Sequence, residues 1–176
     1  LGSRKWDGTP RIDTFLTTYF CVADTPYVRA VSRYMWSALA GRVMDPGCQA
    51  DMVPVLLGPQ GARKTTAVAA ISPAPDFFGE LDLGLSDDNL ARLLRGKLVV
   101  ELGELKGIGA KANEHLKAFL SRRHEEWTPK FKEFNTKFPR RCLLIATTND
   151  EEHLPPDSTG YRRWLPVRVP DGVVCR

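Results

Sequence analysis

The residues best suited to chemistry lie in one uninterrupted stretch, Gly58-Pro59-Gln60-Gly61-Ala62-Arg63-Lys64-Thr65-Thr66. Backbone N–H groups of a tight glycine-containing loop point inward and cradle phosphate oxygens. A helix that opens at the end of such a loop adds its partial positive charge. Lys64 then reaches the β- and γ-phosphates of a nucleotide, and the Thr65 hydroxyl takes a place on Mg²⁺. ATP and Mg²⁺ are therefore the expected ligands. The motif normally carries glycine directly before the lysine, and here that residue is Arg63. A left-handed backbone at Arg63 would cost roughly 1–2 kcal/mol. Alternatively its side chain points harmlessly outward, or it adds a cation near the phosphates or a neighbouring subunit. The competing reading of the stretch is a Gly/Pro turn before an ordinary helix.

Three further groups fit the same chemistry. Leu98-Val99-Val100-Glu101 is an apolar run ending in a carboxylate, with Glu104 three residues on. Two acids at a strand end can hold Mg²⁺ through water and polarise an attacking water. Glu101 is expected on the metal and Glu104 as catalytic base, with the roles interchangeable; solvated loop acids are the alternative. Leu143-Leu144-Ile145-Ala146-Thr147-Thr148-Asn149 is a second apolar run that turns polar, and an amide there could orient the water or sense the γ-phosphate. Taken alone, Thr-Thr-Asn is only a turn signal. Finally, Arg162 or Arg163 could supply positive charge to the transition state in a neighbour's site. A surface arginine pair is the alternative.

These residues need a scaffold that brings strand ends together. Val53 to Leu57, Lys97 to Glu101, Cys142 to Ala146 and Trp164 to Val169 are short apolar runs that suit buried strands. Lys64 to Ile71, Asp87 to Arg95 and Asn113 to Arg122 read as helices. Strands alternating with helices predict an α/β fold with a mostly parallel central sheet covered on both faces. Ligands in such sheets bind at the carboxyl ends of the strands. Before the first strand, Ile12, Phe15, Leu16 and Tyr19 recur at helical spacing. Asp24-Thr25-Pro26 starts a longer helix that Asp45-Pro46-Gly47 ends. The chain thus divides into a small helical section over 1–50 and a phosphate-loop core over 51–176.

Bulk properties agree with one globular domain. The 176 residues are 43% hydrophobic and 26% charged, which is enough apolar material for a proper core and too balanced for disorder. No apolar run approaches a membrane span and no secretory signal is visible, so a cytoplasmic protein is expected. Cys21, Cys48, Cys142 and Cys175 match no zinc spacing and read as reduced, mostly buried thiols. His115, His124 and His153 lie at no metal-ligand spacing. A net charge of +4 permits a nucleic-acid partner without requiring one. Within Arg122 to Arg141, cations alternate with aromatics, and Lys130, Lys132 and Phe134 are spaced as on a hairpin strand. That mixture suits single-stranded DNA, although Glu125, Glu126 and Glu133 dilute the charge and the aromatics would equally serve a core.

Several segments together resemble the virulence-associated protein E family of phages, prophages and mobile islands. They are Trp6-Asp7-Gly8-Thr9-Pro10-Arg11, Gly58 to Gly61, Gly96 to Glu104, Lys117 to Arg122, Ala146 to Asn149 and Thr159 to Val167. The family is similar to superfamily 3 helicases within the AAA+ class of P-loop ATPases. The resemblance runs from Trp6 to Val169. It implies an ATP-hydrolysing replicative DNA helicase or translocase that works as a homo-oligomeric, hexameric ring; the isolated domain could still be a monomer. Lys64 and Thr65 would be the phosphate-loop lysine and hydroxyl, Glu101 and Glu104 the acidic motif, Asn149 the sensor, and Arg162 or Arg163 the arginine finger. Lys130 and Lys132 would lie on a pore-facing hairpin as DNA contacts. Arg63 departs from the pattern and bears on hydrolysis. A primase-like region often precedes this domain in the family and is absent from these residues. Two other functions fit the residues: a nucleotide-binding, DNA-associated module with weak or no hydrolysis, and a small P-loop phosphotransferase.

Overall fold

The computed structural model describes residues 5–103, 110–129, 133–149 and 162–171. Five strands form its central sheet: β1 (Val53–Leu57), β2 (Phe78–Leu81), β3 (Val99–Leu102), β6 (Leu143–Thr148) and β7 (Trp164–Arg168). Their spatial order is β2-β3-β6-β1-β7, and every neighbouring pair is parallel. Parallel strands are buried on both faces, so they read as continuous apolar runs; β1, β3 and β6 are buried at every position. Pro54 has no N–H to give to a ladder, and it precedes the first β1–β6 pair at Val55.

Helices cover both faces. One face carries α1 (Phe15–Phe20), α2 (Pro26–Met44) and α3 (Lys64–Ile71), whose Leu16, Met35 and Val68 pack with Leu56, Ile145 and Val167. The other carries α4 (Asp87–Leu94) and α5 (Ala110–Leu120), whose Leu90, Leu94 and Phe119 pack with Leu57, Leu102 and Leu144. The start of α2 follows its sequence signal: the Thr25 hydroxyl accepts a hydrogen bond from the Val28 N–H at 3.1 Å, with Pro26 in the first turn. Tyr34 on α2 fixes the approach to β1, donating to Met52 O at 2.9 Å and accepting from Met52 N at 3.1 Å. The helical section and the sheet therefore share one core.

A separate antiparallel hairpin, β4 (His124–Trp127) and β5 (Thr136–Pro139), lies against α4. Trp127 and Phe138 meet edge to face at 5.4 Å between centroids. A buried ion pair anchors its base: Arg140 Nε donates to Glu125 Oε1 at 2.6 Å, and both side chains are nearly inaccessible. A hairpin thus exists in this region; of the residues expected on one of its strands, Lys130 and Lys132 lie outside the described residues. Phe134 lies in the connection between β4 and β5, outside any strand. Among the described residues, no helix is long and apolar enough to cross a membrane.

Candidate functional site

The loop after β1 is built for close approach. A Cβ on Gly58 would come within 2.9 Å of Val169 O, so no side chain fits there. Gly61 adopts φ +88°, which glycine tolerates freely. Arg63 is also left-handed, at φ 54° and ψ 31°, and is the N-terminal flanking residue of α3. Of the three alternatives open for Arg63, the backbone thus adopts the strained one, while its exposed side chain borders the cleft.

Lys64, the first residue of α3, turns its ammonium back over the loop. Nζ donates to Gly58 O at 2.6 Å, to Pro59 O at 2.9 Å and to Asn149 Oδ1 at 3.0 Å. Partial burial pulls its pKa below the ordinary lysine value, and the negative charge of Glu101 opposes that shift. Asn149 follows β6 directly, so the amide at the polar strand end lies against the Lys64 ammonium.

Glu101 sits in β3, 2% exposed. Its Oε1 accepts from Thr65 Oγ1 at 2.9 Å and from Thr147 Oγ1 at 2.6 Å, while Oε2 is buried without a hydrogen-bond partner. An uncompensated buried carboxylate oxygen is costly, and a bound cation or its water would satisfy it. Oxygen donors of this kind suit a hard cation such as Mg²⁺. No group of three or more His, Cys, Asp or Glu able to hold a metal occurs among the described residues.

These groups line a cleft of about 890 Å³ at the carboxyl ends of β1, β3 and β6, bordered by Gln60 to Thr65, Glu101 and Thr147 to Asn149. It opens where the chain leaves β1 for the far edge of the sheet, the topological position at which α/β sheets bind ligands. Thr66 follows in α3 as an exposed residue. Three residues that sequence reasoning did not single out also contribute. Thr147 helps hold Glu101, and Glu80 and Asp82 of the β2 edge line the cleft. Glu80 pairs in register with Glu101.

Arg162 and Arg163 do not join this cluster within the chain. They precede β7, where Arg163 O accepts from Val53 N at 2.6 Å. Both therefore lie at the amino end of β7, across the sheet from the cleft; Arg162 is exposed and Arg163 half-buried. Glu104, Lys130 and Lys132 fall outside the described residues. Of the three described cysteines, expected to be mostly buried, Cys142 is buried, Cys48 half-buried and Cys21 exposed.

The fold is similar to that of the NrS-1 C-terminal region. One apo structure, in its A form, superposes with a TM-score of 0.63 at 18% identity over 92% of this chain. A second apo structure of that region gives 0.60 at 17% identity over 93% of the chain. The chain spans only 38% and 39% of those two structures. Both support an α/β fold with a parallel central sheet flanked by helices. No curated protein sequence matches the chain. The family profile described as "Virulence-associated protein E-like domain" matches residues 1–174, and the chain belongs to that family.

Proposed function

We propose that the chain is the ATP-binding and ATP-hydrolysing P-loop domain of a DNA motor, of AAA+ and superfamily 3 helicase type, acting in the replication of a phage or mobile element. The observation that carries this reading is the convergence of Lys64, Thr65, Glu101 and Asn149 from three elements on one cleft. On this reading the loop from Gly58 to Thr66 surrounds the phosphates, and residues 51–176 form the ATPase core behind the helical section 1–50. Lys64 exchanges its neutral carbonyl partners for phosphate oxygens, which are stronger acceptors for an ammonium. Glu101 holds the Thr65 hydroxyl toward the metal position with one oxygen and offers the other. Mg²⁺ would there neutralise developing phosphate charge. Asn149 stays within reach of Lys64 to orient water or sense the terminal phosphate, and Glu104 is assigned the base.

The amino-end position of Arg162 and Arg163 supports their action on a neighbour's cleft, and with it a homo-oligomeric ring. Single-stranded DNA is the proposed track, with Lys130 and Lys132 among its contacts. The left-handed Arg63 favours one second reading: a module that binds nucleotide and turns it over weakly. Steady-state ATP hydrolysis with Mg²⁺, with and without single-stranded DNA, distinguishes the two. Turnover that requires Lys64 and rises with DNA supports the motor. Tight ATP binding with turnover no greater than that of Lys64→Ala supports the second reading and rejects catalysis.

A further inference from the structure

A second cavity, of about 570 Å³, is lined by Arg92, Arg95, Trp127, Pro129 and Thr136, where the end of α4 meets the tip of the β4–β5 hairpin. Arg95 directly follows α4, and its guanidinium lies over the Trp127 ring, 5.5 Å from the centroid. Neither Arg92 nor Arg95 forms an ion pair with any described residue, whereas Arg122 pairs with Asp87 and Arg140 with Glu125. Of the exposed acids on the hairpin and its connection, Glu126 is paired with Lys137 at 3.2 Å, and Glu133 lies beside Phe134. Two cations at one helix end more than offset the partial negative charge of that end. The lining thus holds two arginines and no acid, and the Arg95 guanidinium lies within cation–π distance of the indole.

We propose that Arg92, Arg95 and Trp127 form a second anion-binding site, which holds the phosphodiester backbone of a single-stranded nucleic acid between the end of α4 and the hairpin, away from the ATP cleft. The chain passes from Arg95 into the amino end of β3, whereas Glu101 faces the cleft at its carboxyl half. Arg92 and Arg95 would each neutralise a phosphate, and the Thr136 hydroxyl would donate a further hydrogen bond. Phe134, 80% exposed in the adjoining β4–β5 connection, presents an aromatic face on which an unpaired base can stack. Bases in a duplex are already stacked on one another and have no use for that face, which favours a single strand. The proposal rests on the DNA-binding half of the motor reading and is independent of its catalytic half.

The test is anisotropy of a fluorescent oligo-dT with the full chain across a salt series, for wild type, Arg92→Glu/Arg95→Glu and Arg92→Lys/Arg95→Lys. The charge reversal should weaken binding at least tenfold and flatten the logarithmic salt dependence by about 1–2. The lysine pair should keep the salt slope. ATP binding, followed in parallel with a fluorescent analogue, should be the same in all three proteins and reports that they are folded. Equal affinity and slope in wild type and the charge reversal, or no oligo-dT binding by wild type, overturns the proposal. ATP turnover without dependence on Arg92 and Arg95 for DNA binding sinks this inference alone. DNA binding through them without turnover leaves it standing and sinks only the catalytic half of the motor reading.

Discussion

Lys64 Nζ and Asn149 Oδ1 lie 3.0 Å apart, joining the start of α3 to the end of β6. With Gly58 O and Pro59 O the ammonium has three acceptors, its full donor capacity. The two side chains should separate in their effects. Lys64→Ala should weaken nucleotide binding at least tenfold by calorimetry, since a charge-assisted phosphate contact is lost. Asn149→Ala should leave affinity within about threefold and lower kcat by about 10²-fold, the size of an orienting group acting in the transition state. Equal losses of affinity in both variants would refute that division.

Glu101 makes a second separable prediction. In Glu101→Gln the amide oxygen can still accept from Thr65 and Thr147, so the fold should lose less than about 1 kcal/mol while Mg²⁺-dependent turnover disappears. Glu101→Leu leaves both hydroxyls without their acceptor and should cost about 1–3 kcal/mol in urea denaturation. A stable, fully active Glu101→Gln protein would overturn the proposed role of Glu101 in holding a metal.

Arg63 occupies a conformation that glycine adopts without strain. Relief of about 1–2 kcal/mol is partly offset by the greater freedom glycine gives the unfolded chain. Arg63→Gly should therefore stabilise the protein by roughly 0.5–1 kcal/mol. If Arg63 also touches phosphate, the same variant binds ATP more weakly despite being more stable; unchanged affinity would leave Arg63 as a source of strain alone.

The Arg140–Glu125 pair is inaccessible, and Arg140 also lies 4.6 Å from the Phe119 ring centroid. Glu125→Ala strands a buried guanidinium and should cost about 3–5 kcal/mol, visible as a lower melting temperature. A loss below about 1 kcal/mol would show that water reaches Arg140 once Glu125 is gone.

Burial pushes the Cys142 thiol up to about 11 from its ordinary 9.0, against the pull of Arg140 and Arg42. A raised folded pKa gives stability that is fully present below pH 9 and lost as pH climbs through about 11. The full loss attributable to this thiol is about 3 kcal/mol. Tyr34, raised to about 12 mainly by burial, adds to the loss at the upper end of the range. Urea denaturation of Cys142→Ala should show a shallower decline between pH 9 and 11 than wild type. Parallel curves would mean that Cys142 does not titrate in the accessible range.

Much of the scaffold was legible because its signals are local. The strand over 53–57 and the helix over 64–71 stand where an apolar run, a glycine loop and a lysine predicted them. β2 escaped notice because Phe78-Gly79-Glu80-Leu81 is a short, half-exposed edge strand with glycine inside it, and neither alternation nor an apolar run marks it. With β2 went Glu80 and Asp82 as cleft residues. Thr147 was visible as part of a polar strand end, but its bond to Glu101 follows only from the β3–β6 register, which sets Glu101 beside Ile145. Spacing along one strand carries no information about the offset of the next. Lys64, Thr65, Glu101 and Asn149 could be read because each ends or follows a local motif in the sequence, although their partners lie far along the chain; Glu80 and Asp82 carry no such mark.

One consequence lies in β7. Its amino end follows Arg162 and Arg163, and just past its carboxyl end Val169 donates to Leu57 O at 2.7 Å and crowds Gly58. Five residues of extended chain span roughly 17 Å, and β7 is paired with β1 along all of them. The strand thus runs from the arginines at one end to Gly58, the first residue of the loop after β1, at the other. Arg162, before one end of the strand, and Gly58, beside the other, are therefore joined through a single strand that is paired with β1 along its whole length.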